Sequence, residues 1–371
     1  MSNATPFEIF LVAPPGLESL LCAEAREKGF DGAVVTPGGV TFTGGWPEVW
    51  RANLTLRGAS RVLARIGAIR VMHLAQLDKR ARKFPWAEVL RPDVPIRVDV
   101  SCKASRIYHA GAATQRIETA LKESLGATIA ADAPLRLMAR IEDDLCTFSL
   151  DTSGEPLHRR GHKEAVGKAP IRETLAALFL RQCGYSGSEP VVDPMCGSGT
   201  FVIEAAEIAR GLYPGRSRTF AFEQFASFDP ALWAQMRGAA TPRTPDSRYF
   251  GSDRDTGAIR MSTANAERAG VQDIASFRHN AVSDLIRPEG RPGLVMVNPP
   301  YGTRIGEKKL LFAVYGALGK TLLERFKGWR VGMVTTDLGL AKAAALPFTT
   351  PLPPVSHGGL RIQLLQTEPL R

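Results

Sequence analysis

Val191-Val192-Asp193-Pro194-Met195-Cys196-Gly197-Ser198-Gly199-Thr200 is the stretch that decides the fold. A short apolar strand, 191–193, runs into two glycines separated by one residue, and a helix is predicted over 201–211 directly behind them. Glycines let the backbone turn sharply and come close to a ligand, while the helix N-terminus favours a negative group. Outward from this turn the same grammar repeats. A helix is predicted at 170–184 before it. After it follow strand 248–252, helix 256–270, strands 274–279 and 294–297, helix 309–327, strand 330–336, helix 338–346 and strand 360–366. Alternating strands and helices imply an α/β fold, a doubly wound Rossmann-like sheet that binds ligands at the carboxyl ends of its strands. Residues 213–247, rich in Pro, Arg and Ser, read as an insertion between its first two βα units.

Four motifs sit at the predicted strand ends. In the first, a dinucleotide fingerprint would need a third small residue at position 202, which is Val202. Asp193-Pro194 suits instead a ligand bearing a positive amino group, such as the methionine part of S-adenosylmethionine. Asp193, Pro194, Met195, Cys196, Gly197, Ser198, Gly199 and Thr200 are the cofactor candidates here. The second motif is Gly251-Ser252-Asp253-Arg254-Asp255. Asp253 is placed to accept from both ribose hydroxyls, with Arg254 beside it, whereas Asp255 suits a cap on the helix from Thr256. The third is His279-Asn280-Ala281 followed by Asp284. Asn280, with Ala281, is the candidate for an adenine amine, and Asp284 suits a turn.

Val297-Asn298-Pro299-Pro300-Tyr301-Gly302 is the fourth motif, and it decides the reaction. Two prolines fix the backbone, so that the Asn298 amide oxygen and the Pro299 carbonyl can both accept from an exocyclic NH2. Asn298, Pro299, Pro300 and Tyr301 are therefore the catalytic candidates, with Asn298 also beside the cofactor. Orientation and electrostatics of this kind can supply several kcal/mol, ~7–11 in favourable intramolecular cases. Tyr301 is expected to stack on the base, an effect of roughly 1–3 kcal/mol. No strong general base is required, because the amine loses its proton after attack. Cys196 reads as packing: cytosine-C5 chemistry would need a cysteine near the fourth motif, and residues 290–310 contain none.

Residues 165–366 resemble a class I S-adenosylmethionine-dependent methyltransferase, and Asn-Pro-Pro-Tyr is similar to the motif of enzymes that methylate adenine or guanine amines. The run Leu157-His158-Arg159-Arg160-Gly161-His162-Lys163, then Ala169-Pro170-Ile171-Arg172-Glu173-Thr174-Leu175-Ala176, joined to the glycine turn, resembles the THUMP-domain guanine-N2 RNA methyltransferases. The similarity is greatest to the large-subunit ribosomal RNA type (RlmL-like), with a tRNA-acting branch as neighbour. The resemblance implies an N-terminal α+β ferredoxin-like domain over 1–65, an RNA-binding THUMP domain over 66–155 and a seven-stranded catalytic domain over 156–371. It also makes Pro170, Arg172, Glu173 and Thr174 candidates for closing the cofactor pocket. Asn280 departs from the family pattern, where Asp is common. The second catalytic domain of some ribosomal members is not expected here, which implies one methylation chemistry. The partner is RNA, 23S ribosomal RNA or tRNA. Adenine-N6 methylation and a non-catalytic RNA-binding role are the alternatives. Neither the target nucleotide nor the oligomeric state is legible.

Local patterns support two units before the catalytic one. Strands at 7–13, 34–35 and 40–42, helices at 16–28 and 46–54 and a strand at 59–69 form the first. Helices near 73–90 and 109–125 with strands at 95–102, 135–141 and 145–151 form the second.

The net charge is +10, with a pI near 9.6, which suggests an anionic partner. Between Arg51 and Arg106 there are 13 Lys+Arg against 4 Asp+Glu, whereas residues 1–50 hold 2 against 6. The candidate RNA contacts are Arg80, Arg82, Lys83, Lys103, Arg106, Arg159, Arg160 and Lys163. His158 and His162 lie among the last of these and are expected at solvent or RNA. The composition, 44% hydrophobic and 23% charged, suits an ordinary globular chain. No apolar run reaches the roughly 20 residues of a membrane span, and the N-terminus does not read as a signal peptide. Five scattered cysteines, with no Cys-x-x-Cys pair, argue against a disulfide framework or a metal site and for the cytoplasm.

Overall fold

The computed structural model describes residues 6–164, 171–301, 308–349 and 353–371. In chain order its first half holds β1 (Phe7–Val12), α1 (Glu18–Glu27), β2 (Val34–Thr36), β3 (Gly39–Gly44), α2 (Trp46–Thr55), β4 (Arg61–Arg70), α3 (Leu74–Arg82), β5 (Ile96–Lys103), α4 (Ala110–Leu125), β6 (Leu135–Glu142) and β7 (Leu145–Asp151). Its second half holds α5 (Glu173–Gln182), β8 (Val191–Asp193), α6 (Thr200–Arg210), α7 (Pro230–Gly238), β9 (Tyr249–Asp253), α8 (Thr256–Ala269), β10 (Ala275–His279), β11 (Leu294–Val297), α9 (Lys308–Arg325), β12 (Arg330–Thr335), α10 (Leu338–Ala343), β13 (Val355–His357) and β14 (Leu360–Gln366). The chain divides into two compact units. One comprises 1–13, 21–157 and 218–239; the other comprises 14–20, 158–217 and 240–371.

The first unit is built on one sheet in the order β2-β3-β1-β4-β7-β6-β5. The boundary expected at 65/66 falls inside β4. That strand pairs with β1 through Arg61–Arg65 and with β7 from Leu63 to Arg70. Its register shifts between Arg65 and Gly67. The bulge bends β4 where one sheet half gives way to the other.

The insertion expected over 213–247 falls between α6 and β9. Residues 218–239 belong to the first unit. Phe222, fully buried, stacks on Trp50 at 6.0 Å and meets Trp233 edge-on at 5.0 Å, while Phe225 meets Trp46 at 5.6 Å. Backbone bonds from Phe222 N to Thr152 O at 3.1 Å and from Ala226 N to Val89 O at 2.9 Å hold the segment there. The aromatic side chains explain the placement, because burying each ring from water contributes about 1.5–3 kcal/mol.

The second unit has the order β10-β9-β8-β11-β12-β14-β13. β10, β9, β8, β11 and β12 run parallel, and β14 turns back antiparallel to β12. β11 is buried at every residue and α9 packs over it through Tyr315, Leu318 and Leu322, as a parallel strand covered by helices requires. The carboxyl ends of β8, β9, β10 and β11 therefore open on one edge. All four sequence motifs leave from that edge.

Candidate functional site

At the end of β8, Asp193 is 2% exposed, and its Oδ1 accepts from the Met195 N–H at 3.0 Å. Burial, with the neighbouring Asp253 adding to it, pushes its carboxyl well above the usual range. A ligand carrying an ammonium group would supply the missing counter-charge. Gly197 (φ +53°) and Gly199 (φ +84°) then take the left-handed conformation that other residues resist, and Gly199 caps the N-terminus of α6. Gly251 of β9 is needed for a different reason: a Cβ there would lie 2.4 Å from the Phe277 ring and 3.1 Å from Cys196 Cβ.

Asp253 stitches these loops together. Its Oδ2 accepts from Gly197 N–H and its Oδ1 from Asp255 N–H, each at 3.0 Å. Each carboxylate oxygen keeps a lone pair for a ribose hydroxyl. Asp255 caps α8, its Oδ1 accepting from Gly257 N–H at 2.7 Å. Asn280 donates its backbone N–H to the Asp253 carbonyl at 3.0 Å, which fixes its place beside the second motif. Asp284 ends a 3-10 turn over Val282–Asp284.

These loops surround a cavity of about 750 Å³. Its lining includes Asp193 to Ser198, Thr200, Asp253, Arg254, Asn280, Ala281, Asn298, Pro299 and Pro300. The Asn298 Oδ1 atom is buried and has no hydrogen-bond partner among the described residues. Such an orphaned acceptor costs on the order of 1–3 kcal/mol unless something donates to it. The cavity size is in the range of small-ligand sites.

Several expected residues lie elsewhere. Tyr301 is 3% exposed and is not among the residues lining the cavity. That burial leaves its expected stacking on a base without support from the cavity's lining. Thr174 is 2% exposed in the first turn of α5 and also off the lining, as is Gly199, whose part is the turn itself. Pro170 falls outside the described residues. Cys196 is a lining residue whose thiol burial pushes well up; protonated, it is no nucleophile. Sequence reading missed Ile171, Phe201, Ala258, Met261, Val282 and Ser283, and Ala313, Val314 and Ala317 of α9. Only Val282 and Ser283 had a signal, their adjacency to the third motif.

The basic candidates also separate. Arg160 is 1% exposed and pairs with Glu204 at 3.1 Å, and Lys163 holds Glu173 at 2.7 Å. His162, also buried, contacts Glu207 at 3.1 Å. Side chains enclosed against carboxylates of α5 and α6 cannot meet a polyanion, so these three leave the expected RNA surface. Arg159 stays exposed. In the first unit Arg80, Lys83, Lys103 and Arg106 are exposed, while Arg82 is half-buried between Asp78 and Glu123. Lys103 and Arg106 carry surface pairs with Glu142 at 3.0 Å and Asp144 at 3.6 Å. Among the described residues no cluster of metal-ligating side chains occurs, and no helix is long and apolar enough to cross a membrane.

Residues 160–350 match the family described as RMKL-like, methyltransferase domain, and residues 8–63 match the RlmL ferredoxin-like domain. The chain is 33% identical over 346 residues to a protein of Psychromonas ingrahamii named "Ribosomal RNA large subunit methyltransferase K/L", covering 89% of this chain and 46% of that one. This chain thus spans under half of that relative. It is 30% identical to a Synechocystis protein named "Putative RNA methyltransferase slr0064", covering 99% and 98% of the two chains. The crystal structure of SMU.472 complexed with SAH superposes with a TM-score of 0.85 at 25% identity, covering 99% of each chain. A Listeria monocytogenes structure, described as a predicted N6-adenine-specific DNA methylase, also gives 0.85, at 29% identity over 98% and 96% of the chains.

Proposed function

Since this chain belongs to the RMKL-like methyltransferase family and carries its RlmL-type ferredoxin-like domain, we propose that it transfers a methyl group from S-adenosylmethionine to the exocyclic N2 amine of a guanine in RNA. The observation that carries this reading is the buried Asn298 Oδ1, without a hydrogen-bond partner among the described residues, at a cavity that also holds Asp193 and Asp253.

The cavity's chemistry fits the cofactor. Asp193 would hold its ammonium group, Asp253 its ribose hydroxyls and the Asn280 amide its adenine amine. Bound there, the cofactor supplies an electrophilic sulfonium methyl. Asn298 Oδ1 and the Pro299 carbonyl accept the two N–H bonds of the target amine and turn its lone pair away from ring conjugation. Pro299 and Pro300 keep these acceptors from relaxing, so little reorganisation is needed when charge develops. The target base must leave its stack to enter the cavity, because its amine is otherwise held in the groove. The exposed cations of the first unit, Arg80, Lys83, Lys103 and Arg106, would hold the RNA backbone.

Large-subunit ribosomal RNA is the preferred substrate, after the relative at 33% identity and the RNA in its name; tRNA is the alternative. Methylation of adenine N6 is the second reading, favoured by the likeness at 29% identity to a structure described as an N6-adenine-specific methylase. Replacing Asn298 by Ala is expected to lower transfer of labelled methyl to RNA by roughly 10²–10³-fold, with cofactor affinity changed less than about threefold. Wild-type turnover in that variant would refute the assigned role. Nucleoside analysis of the wild-type product separates N2-methylguanosine from N6-methyladenosine, and the latter would overturn the guanine assignment.

A further inference from the structure

We infer that Asn265 and Lys163 are positioning residues that hold the glycine turn in its cofactor-accepting shape without lining the cavity. This inference rests on the reading of that cavity as a cofactor site. A turn with glycines at 197 and 199 has little side-chain packing of its own and many accessible conformations, so its shape must be imposed from outside.

Beside the bond from Gly197 N–H to Asp253 at the cavity wall, two hydrogen bonds from residues off the lining impose it. Asn265 of α8 is fully buried, and its Nδ2 donates to the carbonyl of Ser198, the residue between the two glycines, at 3.0 Å. Its Oδ1 in turn accepts from Arg268 Nη2, and Arg268 Nε donates to the His162 carbonyl at 2.9 Å. The amide is thus gripped at both ends. Lys163 Nζ donates to Thr200 Oγ1 at 2.7 Å, at the first residue of α6, while Glu173 balances its charge at 2.7 Å. Ser198 and Thr200 line the cavity, whereas Asn265 and Lys163 do not. The segment around His162–Lys163, which reads in sequence as a basic RNA-facing run, is built into the support of the cofactor turn.

Asn265→Asp tests the inference by calorimetry with S-adenosylhomocysteine and by steady-state methylation. The substitution keeps the volume and the oxygen facing Arg268, but turns a second oxygen on the Ser198 carbonyl in place of a donor. The dissociation constant is expected to rise about tenfold, as for loss of one buried hydrogen bond. The KM for S-adenosylmethionine should rise in parallel, while kcat at saturating cofactor falls by less than about threefold. A merely structural role would lower the melting temperature without that split. If Asn265→Asp does not fold, Lys163→Met is read by the same criterion. Wild-type affinity in either folded variant, or equal losses in kcat and kcat/KM, would overturn the inference. Absence of binding to the wild-type chain would instead refute the cofactor site itself.

Discussion

Two basic regions of this chain carry the same sign of charge and meet opposite fates. Lys103 and Arg106, in the first unit, have side chains 71% and 67% exposed. Arg160 and Lys163, in the second, are 1% and 8% exposed. The difference lies in what the fold sets opposite them. Lys103 and Arg106 face solvent with one carboxylate each, so their pairs contribute little and their charge is available to a polyanion. Arg160 and Lys163 face Glu204 and Glu173, which α6 and α5 bring in from 44 and 10 residues further along the chain. Buried there, the cations hold helices together.

The sharpest way to break this comparison is to remove one partner from each region. Arg160→Ala leaves the Glu204 carboxylate buried without its guanidinium and is expected to cost about 3–5 kcal/mol in urea unfolding. A cost below about 1 kcal/mol would mean that the pair is not enclosed in solution.

The buried region should also respond to acid. Burial, reinforced by Arg172, Arg159, Arg160 and Lys163, pushes the His158 imidazole down to about 4. Burial likewise lowers His162. An unfolded histidine takes up its proton near pH 6.5, whereas His158 in the fold resists protonation until about 4. Stability is therefore intact above 6.5 and declines as pH falls through that window. The melting temperature is expected to be lower at pH 5 than at pH 7, with His158→Gln narrowing the gap. A gap unchanged by that substitution would remove His158 from the account.

Lys103→Ala and Arg106→Ala should be nearly silent in stability, within about 0.5 kcal/mol. Their effect belongs to RNA affinity. If each cation neutralises one phosphate, each variant should flatten the slope of log affinity against log salt by roughly 0.7–0.9. Unchanged slopes would place the RNA surface elsewhere.

Much of the catalytic fold was readable from local signals. The strands and helices around the glycine turn stand within a few residues of their expected places, because apolar periodicity and turn chemistry act over short spans. Asp255 shows the same locality: an acidic side chain before a predicted helix needs only its own neighbours to form a cap. The cofactor-side residues of the four motifs come to one cavity for a related reason, since parallel strands with right-handed crossovers bring their carboxyl ends to one edge. The α9 wall was not readable. Ala313, Val314 and Ala317 are small residues within an apolar helix, and nothing in their type distinguishes cavity from core. Segment 218–239 was misplaced for the opposite reason. The prolines, arginines and serines of 213–247 read as loop, and the four phenylalanines and one tryptophan of 218–239 that carry it into the first unit needed Trp46 and Trp50 in view.

By itself the sequence determined which backbone turns where, and so the order of strands, the glycine turn and the rigid Asn-Pro-Pro corner. These follow from φ preferences, capping and periodicity, all of which act between near neighbours. Only the tertiary structure decided what each side chain faces. It buried Tyr301 and Arg160, continued one sheet through β4 across an expected domain boundary, and left the Asn298 oxygen without a partner among the described residues. Exposure and pairing depend on residues tens of positions away, and no local pattern encodes which of them will arrive.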